Sequence, residues 1–288
     1  MSSQITEAFV QQFADNFMHL AQQTQSRFER AVVVEPSIVG ASKSVNRLGL
    51  RTAQRRLVRH SDTPINDQPH STRFVDLLDW EDGDMIDDQD KIRLLAEPGN
   101  DYIKAMVQAM NRAKDDAIIT AALGAARSAA STTVALTAGQ QIAVGATGMT
   151  RAKLITARKL FRAAEADEVE GGDLYLTYSS EALEDLLTDT TLTNSEYNTV
   201  LSLMNGTFVG GTLFGFKPIP SERLPKVSTT RSCFAWERTG IVLGIGANVM
   251  TKVGEDPGKG FNVRYYAKMS IGAVRVEEVR VVQIDCVE

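Results

Sequence analysis

The stretch Gly210 to Pro220, GGTLFGFKPIP, sets two glycines five positions apart ahead of a lysine. A phosphate-binding loop reads G-x-x-x-x-G-K-[ST]: the glycine amides ring the phosphates, the lysine reaches them, and the hydroxyl holds magnesium. Here Phe216 follows Gly215, Lys217 comes one place late, and Pro218 stands where the hydroxyl would be. The residues beyond it do not read as a helix, so a phosphate would lack both a helix dipole and free amides. The pattern fits a glycine turn feeding a strand better than a nucleotide site.

Other routes to chemistry are equally thin. A hydrolase triad needs a histidine between a nucleophile and an orienting acid. The only histidines are His19, in an amphipathic segment, and His60 and His70, in a proline-bearing loop. No H-x-x-x-H or C-x-x-C spacing offers a zinc site. Asp87, Asp88 and Asp90 resemble part of a calcium loop, but its sixth-position glycine and closing glutamate are absent. Asp115 and Asp116 read as a solvated helix face. The expectation is no catalytic residue, no cofactor and no metal.

The elements that would have to position a site are more informative. Residues 3 to 23 carry Ile5, Phe9, Phe13, Phe17 and Leu20 at fourfold spacing, an aromatic helical stripe with Ser3 as its cap. Between 30 and 75 lie β-rich pieces, AVVVEPSIV and RLVRH, broken by Gly40, Gly49, Pro64 and Pro69. Pro98, Gly99 and Asn100 then signal a helix start, with Asn100 as cap and Asp101 favourable for the dipole. From Asp101 to Arg127 the chain is proline-free, with Ile103, Met106, Val107, Met110, Ala113, Ala117 and Ala121 at three-four spacing. About 26 residues make a helix of about 39 Å, twice the usual length.

After Arg127 an uncharged Ala/Gly/Ser/Thr stretch reads as a pliable connection with one short strand. Thr150 caps a helix bearing Leu154, Ala157, Phe161 and Ala164. DLYLTYS is a strand, Ser179 or Ser180 caps a further helix, and a short helix covers Ser195 to Met204. From about 231 onward SCFAWER, IVLGIGA, VMTKV, FNVRYYAKMSIGAVRV and VRVVQIDCV read as an antiparallel sheet.

At 43% hydrophobic and 23% charged, the 288-residue chain is globular, and a net charge of −5 gives no global reason for nucleic-acid or lipid binding. Cys233 and Cys286 are too few for a disulfide framework and read as buried thiols. TGIVLGIGANVM is too short to span a bilayer, and no secretory signal is visible. The charges are segregated. Lys43, Arg47, Arg51, Arg55, Arg56 and Arg59 occur without an acid between Pro36 and Ser61, whereas Asp76 to Asp90 is acidic without a base. A nucleic-acid patch, pairing within the subunit and pairing between subunits all fit such a split.

The order of these elements, and five phrases, resemble the major capsid proteins of tailed bacteriophages with the HK97-type fold. The phrases are ITEAFVQQFADNFMHLAQQTQSRF, DKIRLLAEPGNDYIKAMVQAMNRAKDDAII, TRAKLITARKLFRAAEADE, LTNSEYNTVLSLMNGTFVGGTLFGFKPIPSERLP and GAVRVEEVRVVQIDC, spanning nearly the whole chain. The resemblance implies an α+β fold. An N-terminal arm would occupy 1–30 and an extended β-hairpin 31–75. A peripheral domain of 76–134 and 231–288 would hold the spine helix 101–127, with an axial domain at 135–230.

It also implies a shell of pentamers and hexamers in the virion, assembled in the host cytoplasm around double-stranded DNA without sequence specificity. A portal protein and a separate scaffold protein would be partners, a decoration protein is allowed, and no membrane is involved. No lysine–asparagine cross-link is expected, because its residues have no match here. The intersubunit contacts implied are the basic residues Lys43 to Arg59, the acids Asp84, Asp87 and Asp88, and the stripe of Phe9, Phe13 and Phe17. Rival readings are an encapsulin-like compartment and, more distantly, a nucleotide-binding enzyme.

Overall fold

The computed structural model describes residues 22–55, 65–86, 99–129, 131–168, 173–188 and 212–288. The N-terminal stripe of Phe9, Phe13 and Phe17, the acids Asp87, Asp88 and Asp90, His19, His60, and the short helix at 195–204 lie outside them. Two compact units divide the described residues. One holds those of 22–25, 79–113 and 247–270, and the larger holds those of 26–78, 114–246 and 271–288.

In chain order the elements are β1 (Val33–Glu35), β2 (Ser42–Leu48), β3 (His70–Asp76), β4 (Leu78–Ile86), α1 (Gly99–Leu123), β5 (Ala126–Arg127), β6 (Thr133–Val134) and β7 (Gln141–Ile142). They continue with α2 (Arg151–Ala163), β8 (Leu174–Tyr178), α3 (Ser180–Thr188), β9 (Lys217–Pro220), β10 (Lys226–Val227), β11 (Thr230–Glu237), β12 (Ile241–Asp256), β13 (Asn262–Arg275) and β14 (Val281–Val287).

The larger unit is built on a sheet of order β7-β14-β11-β8-β9, with β10 also on β11. β11 runs antiparallel to β14 and β8, while β7 on β14 and β9 on β8 are parallel. The sheet is therefore mixed: β11 and β14, among the strands read from about 231 onward, pair antiparallel as expected, and the parallel edges come from β7 and β9 earlier in the chain. A central strand is covered on both faces, and residues 233–237 of β11 are all buried, so the alternating pattern of a half-exposed strand is lost there. Trp236 is the hub. Its ring lies 4.9 Å from Phe234, 5.8 Å edge-on to Phe28 and 5.4 Å in a stack with Tyr175. Its indole N–H donates to the Ala31 carbonyl at 2.8 Å.

α2 packs on β14 through Leu154, Ala157 and Phe161, and Thr150 caps it by accepting from the Lys153 amide at 3.4 Å. Lys153 itself is buried. Its ammonium donates to the carbonyls of Val144, Thr147, Gly148 and Asp285 at 2.7–3.0 Å, stitching a loop, a helix and β14 together. An ammonium has three protons and no acceptor, so a cage of carbonyls satisfies it without a carboxylate. Lys153→Met should cost about 2 kcal/mol, because buried carbonyls lose a charged donor. A lower urea midpoint at unchanged slope is the readout, and an unshifted midpoint would remove this role.

α1 runs about 37 Å and ends at Leu123, just before Gly124 and four residues short of the expected end at Arg127. Arg127 instead belongs to β5, paired with β6. Fully buried Arg275 closes the helix: its guanidinium donates to the carbonyls of Ala122 (2.9 Å), Gly124 (2.6 Å) and Val134 (3.0 Å). A cation on the last orphan carbonyls is favourable for hydrogen bonding and for the helix dipole alike. Burial lowers the pKa of that guanidinium from its ordinary value.

The buried face of α1 differs from the stripe read in sequence. Met106, Met110, Ala113, Ile118, Ile119 and Ala122 are buried, whereas Ala117 and Ala121 are only half-buried. The reason is helical drift: each fourth residue advances about 40°, so the row from Ala113 has turned about 80° by Ala121.

The adjacent acids are a second correction. Asp115 is fully buried, accepting from the Ser26 hydroxyl at 2.6 Å and from the Arg27 and Phe28 amides at 3.0–3.3 Å. It fixes the short 3-10 turn Glu29–Ala31 and seats Phe28 against Trp236. Only Asp116 sits at the surface, paired with Arg223.

In the smaller unit Tyr102 of α1 meets Tyr265 of β13 at 6.2 Å, and Tyr266 donates to Glu81 of β4 at 2.8 Å. Arg112 and Asn111 hold residues 22 and 24. IVLGIGA and VMTKV, read as separate strands, belong to the single 16-residue strand β12.

Candidate functional site

The feature that the packing of the larger unit leaves unused is the outer end of the β2–β3 hairpin. Seven residue pairs, from Ser42↔Asp76 to Leu48↔His70, form a two-stranded antiparallel ribbon. The sequence placed β-rich pieces at 31–39 and 56–60. The first gives only β1, and the second lies outside the described residues.

The ribbon's base is locked. Ile38 and Val75 pack with Val242 and Val274, and the Leu77 amide donates to Ala41 at 3.0 Å. Two glycines let the backbones close: a Cβ on Gly244 would stand 2.5 Å from Ile38, and one on Gly272 would stand 1.9 Å from the Asp76 carbonyl oxygen. Arg127 forms a two-pronged pair with Asp76 and lies 4.5 Å over the Phe74 ring. Glu278 accepts from Arg73 at 2.8 Å and has Arg47 at 3.6 Å. Burial alone would raise the Glu278 pKa, but the Arg73 hydrogen bond and the two cationic charges bring it below the ordinary glutamate value.

The outer end is different. Leu48, Leu50 and Ile65 are 70%, 97% and 92% exposed. Backbone and amide side chains continue the ribbon beyond its last strand pair: Gly49 donates to Pro69 at 2.9 Å, Gln68 to Gly49 at 2.6 Å, and Asn66 to Thr52 at 3.0 Å. An apolar tip on a polar stalk has the composition of a surface that is buried elsewhere.

The basic block divides accordingly. Lys43 pairs with Glu35, and Arg47 bonds to Ser71, to the Val276 carbonyl and to Glu278, so both serve the subunit's own base. Arg51 reaches the Asn66 carbonyl at 3.2 Å, and Arg55 is exposed. Arg56 and Arg59 lie outside the described residues, as do Asp87 and Asp88. Asp84, in the smaller unit, is exposed and accepts from the Met85 amide at 2.8 Å. The sequence pointed to a charged hairpin, but not to its apolar tip. The isolated apolar residues Leu48, Leu50 and Ile65 among glycine and proline were the available signal.

The glycine turn is used structurally. Leu213 and Phe216 exchange both backbone hydrogen bonds at 2.9 Å around Phe214 (φ 52°) and Gly215 (φ 83°). Two central residues at positive φ make a type I′ hairpin turn, and β9 follows it where a phosphate loop would need a helix. Lys217 pairs with Asp173 at 2.6 Å, a hydrogen bond that raises its pKa. Both cysteines are buried and unlinked on the neighbouring strands β11 and β14. Hydrogen bonding to Cys286, with burial, pushes the Cys233 thiol well up. His70 is exposed at the start of β3. Among the described residues no group of His, Cys, Asp and Glu is arranged to hold a metal ion, and no helix is long and apolar enough to cross a membrane.

A family model described as "Phage capsid protein" matches residues 5–288. No curated protein matches the chain. Among solved structures, the capsid of Ralstonia phage GP4 is 12% identical with a TM-score of 0.75, covering 97% of this chain and 95% of that one. The cyanophage Pam1 capsid is 14% identical at 0.71, covering 98% and 97%. The cyanophage P-SCSP1u capsid is 16% identical at 0.70, covering 99% and 94%. At such identities the structural likeness is one of fold.

Proposed function

The chain belongs to the phage capsid protein family, with the α+β, HK97-type capsid fold, and from that premise we propose that it closes into pentamers and hexamers forming an icosahedral head around double-stranded DNA. The observation that carries this reading is the ribbon of β2 and β3, anchored at its base and exposing Leu48, Leu50 and Ile65 at its end. Exposed apolar residues on a projecting element are suited to a neighbour's surface, and a head-to-tail contact repeated around an axis generates a closed ring.

In this reading residues 1–30 are the arm, 31–75 the reaching hairpin, 76–134 and 231–288 the peripheral domain, and 135–230 the axial domain. The role is structural, with no catalysis. Shells form in the host cytoplasm with a separate scaffold and a portal protein, and the finished surface can carry a decoration protein.

Arg51, Arg55, Arg56 and Arg59 on one subunit would meet Asp84, Asp87 and Asp88 on the next, while Phe9, Phe13 and Phe17 dock the arm. Exposed pairs contribute only about 0–1 kcal/mol each, so their effect comes from repetition around the shell. Electron microscopy of the expressed protein, alone and with scaffold, tests the reading: wild type should give closed particles. Arg55→Glu with Arg56→Glu should reduce particle yield several-fold while the subunit's circular dichroism is unchanged. Wild type that gives no particles under either condition would overturn the shell reading. Normal empty shells from the double variant that fail only to retain DNA would turn the basic hairpin toward the genome.

A further inference from the structure

We infer that the outward face of α2, together with the turn at Phe214, is a contact surface for the phosphate backbone of duplex nucleic acid. The inference rests on the reading of this chain as a shell that encloses a genome.

In a chain of net charge −5, α2 contains no acid at all. Lys153 turns inward to its carbonyl cage, while Arg151, Arg158, Lys159 and Arg162 lie on the exposed or half-exposed side. Arg158, Lys159 and Arg162 cluster in the last turns, with Arg151 two turns earlier, along about 16 Å of helix.

A cleft of about 490 Å³ opens beside them, lined by Ile155, Arg158, Lys159, Arg162, Asp167 and Phe214. Its geometry is constructed. Gly215, at φ 83°, leaves room for the Arg158 guanidinium 3.4 Å from where a Cβ would stand. The nearly buried Asp167 carboxylate receives Arg158 at 3.0 Å and Arg162 at 3.4 Å, so one acid aims two guanidinium groups. Arg162 also meets Glu168 at 2.6 Å. Among the described residues no acid pairs with Arg151 or Lys159, which leaves the row cationic: four bases against two carboxylates.

Guanidinium forks match phosphate oxygens two at a time. A duplex carries about one charge per 1.7 Å, so this row faces on the order of ten phosphates and neutralises a few. Ile155, 46% exposed, and Phe214 supply an apolar floor. That floor is too short for the i, i+3, i+4, i+7 anchors of an acidic amphipathic helix, which favours the nucleic-acid backbone as occupant. Such a contact holds DNA without reading its sequence.

The test is fluorescence anisotropy of the unassembled full chain with a short labelled duplex, between about 50 and 200 mM salt. Wild type should show a log–log slope of about −2 to −4, at roughly 0.9 per phosphate neutralised. Arg151→Gln with Lys159→Gln should lower that slope by about 2 while leaving the fold and particle formation intact. An unchanged slope overturns the inference. So does displacement of the duplex by polyglutamate at equal charge concentration, which would assign the face to an acidic protein segment. Loss of particles in this variant would make the face a subunit contact and end the inference, with the shell reading still standing. Wild type without particles would end the shell reading, and the salt slope would still judge the surface.

Discussion

Asp115→Ala should lower the stability of the unassembled subunit by about 3 kcal/mol, whereas Asp116→Ala, one residue along, should cost less than about 1 kcal/mol. The two acids have the same chemistry and opposite surroundings. Asp115 is fully buried and accepts from one hydroxyl and two backbone amides. Its removal strands those donors, and bonds to a charged acceptor are the stronger kind at about 1.5–3 kcal/mol each. Asp116 meets Arg223 where both side chains are more than a third exposed, so solvent competes for the pair. Urea unfolding of both variants, compared at equal slope, decides the matter. Equal losses would mean that the Ser26–Phe28 segment is not held by the Asp115 carboxylate.

Trp236→Ala should cost more still, about 3–5 kcal/mol, as expected when a fully buried indole is truncated. Three aromatic neighbours and the Ala31 carbonyl surround the ring. Two of these, Phe28 and Ala31, lie in or beside the segment that Asp115 fixes, so the two sites share partners. The double variant should therefore lose less than the sum of the single losses, by 0.5 kcal/mol or more. Strict additivity would show that Asp115 acts independently of the aromatic cluster. For a domain with a typical margin of 5–15 kcal/mol, Trp236→Ala should also cut the yield of soluble subunit.

Much of the fold was legible because it rests on local signals. Thr150 caps its helix as its type and position suggested, and of the two candidates Ser179 and Ser180 it is Ser179 that caps the next. DLYLTYS is β8, and the long helix was visible in its proline-free run. What escaped depends on distant partners. Nothing local distinguishes Asp115 from Asp116; the difference lies in Ser26, 89 residues earlier. Lys153 reads as one more surface cation on α2, and only the loop at 144–148 and strand β14 reveal that it faces inward. Mixed strand pairing was illegible for the same reason, since a short parallel strand such as β7 carries no pattern that states its partner. The candidate site was half legible. Its charges stood out as a block, but the division between bases that hold the hairpin's root and bases that face outward is a matter of tertiary position.

Gly244 and Gly272 at the root of the β2–β3 ribbon have a mechanical consequence. A beam clamped at one end bends along its free length, not at the clamp. The root is stiff: interlocked side chains, two backbones in van der Waals contact and paired arginines resist rotation. The free length lies beyond Arg47, whose bonds to Val276 and Glu278 hold the sixth of the seven strand pairs. From there outward no second layer braces the ribbon, and it is compliant in twist. A load at Leu48 or Leu50 would flex the ribbon before it disturbed the strands below. One subunit could then meet neighbours at several angles while keeping its core unaltered, with the elastic strain confined to the exposed outer end around Leu48 and Leu50.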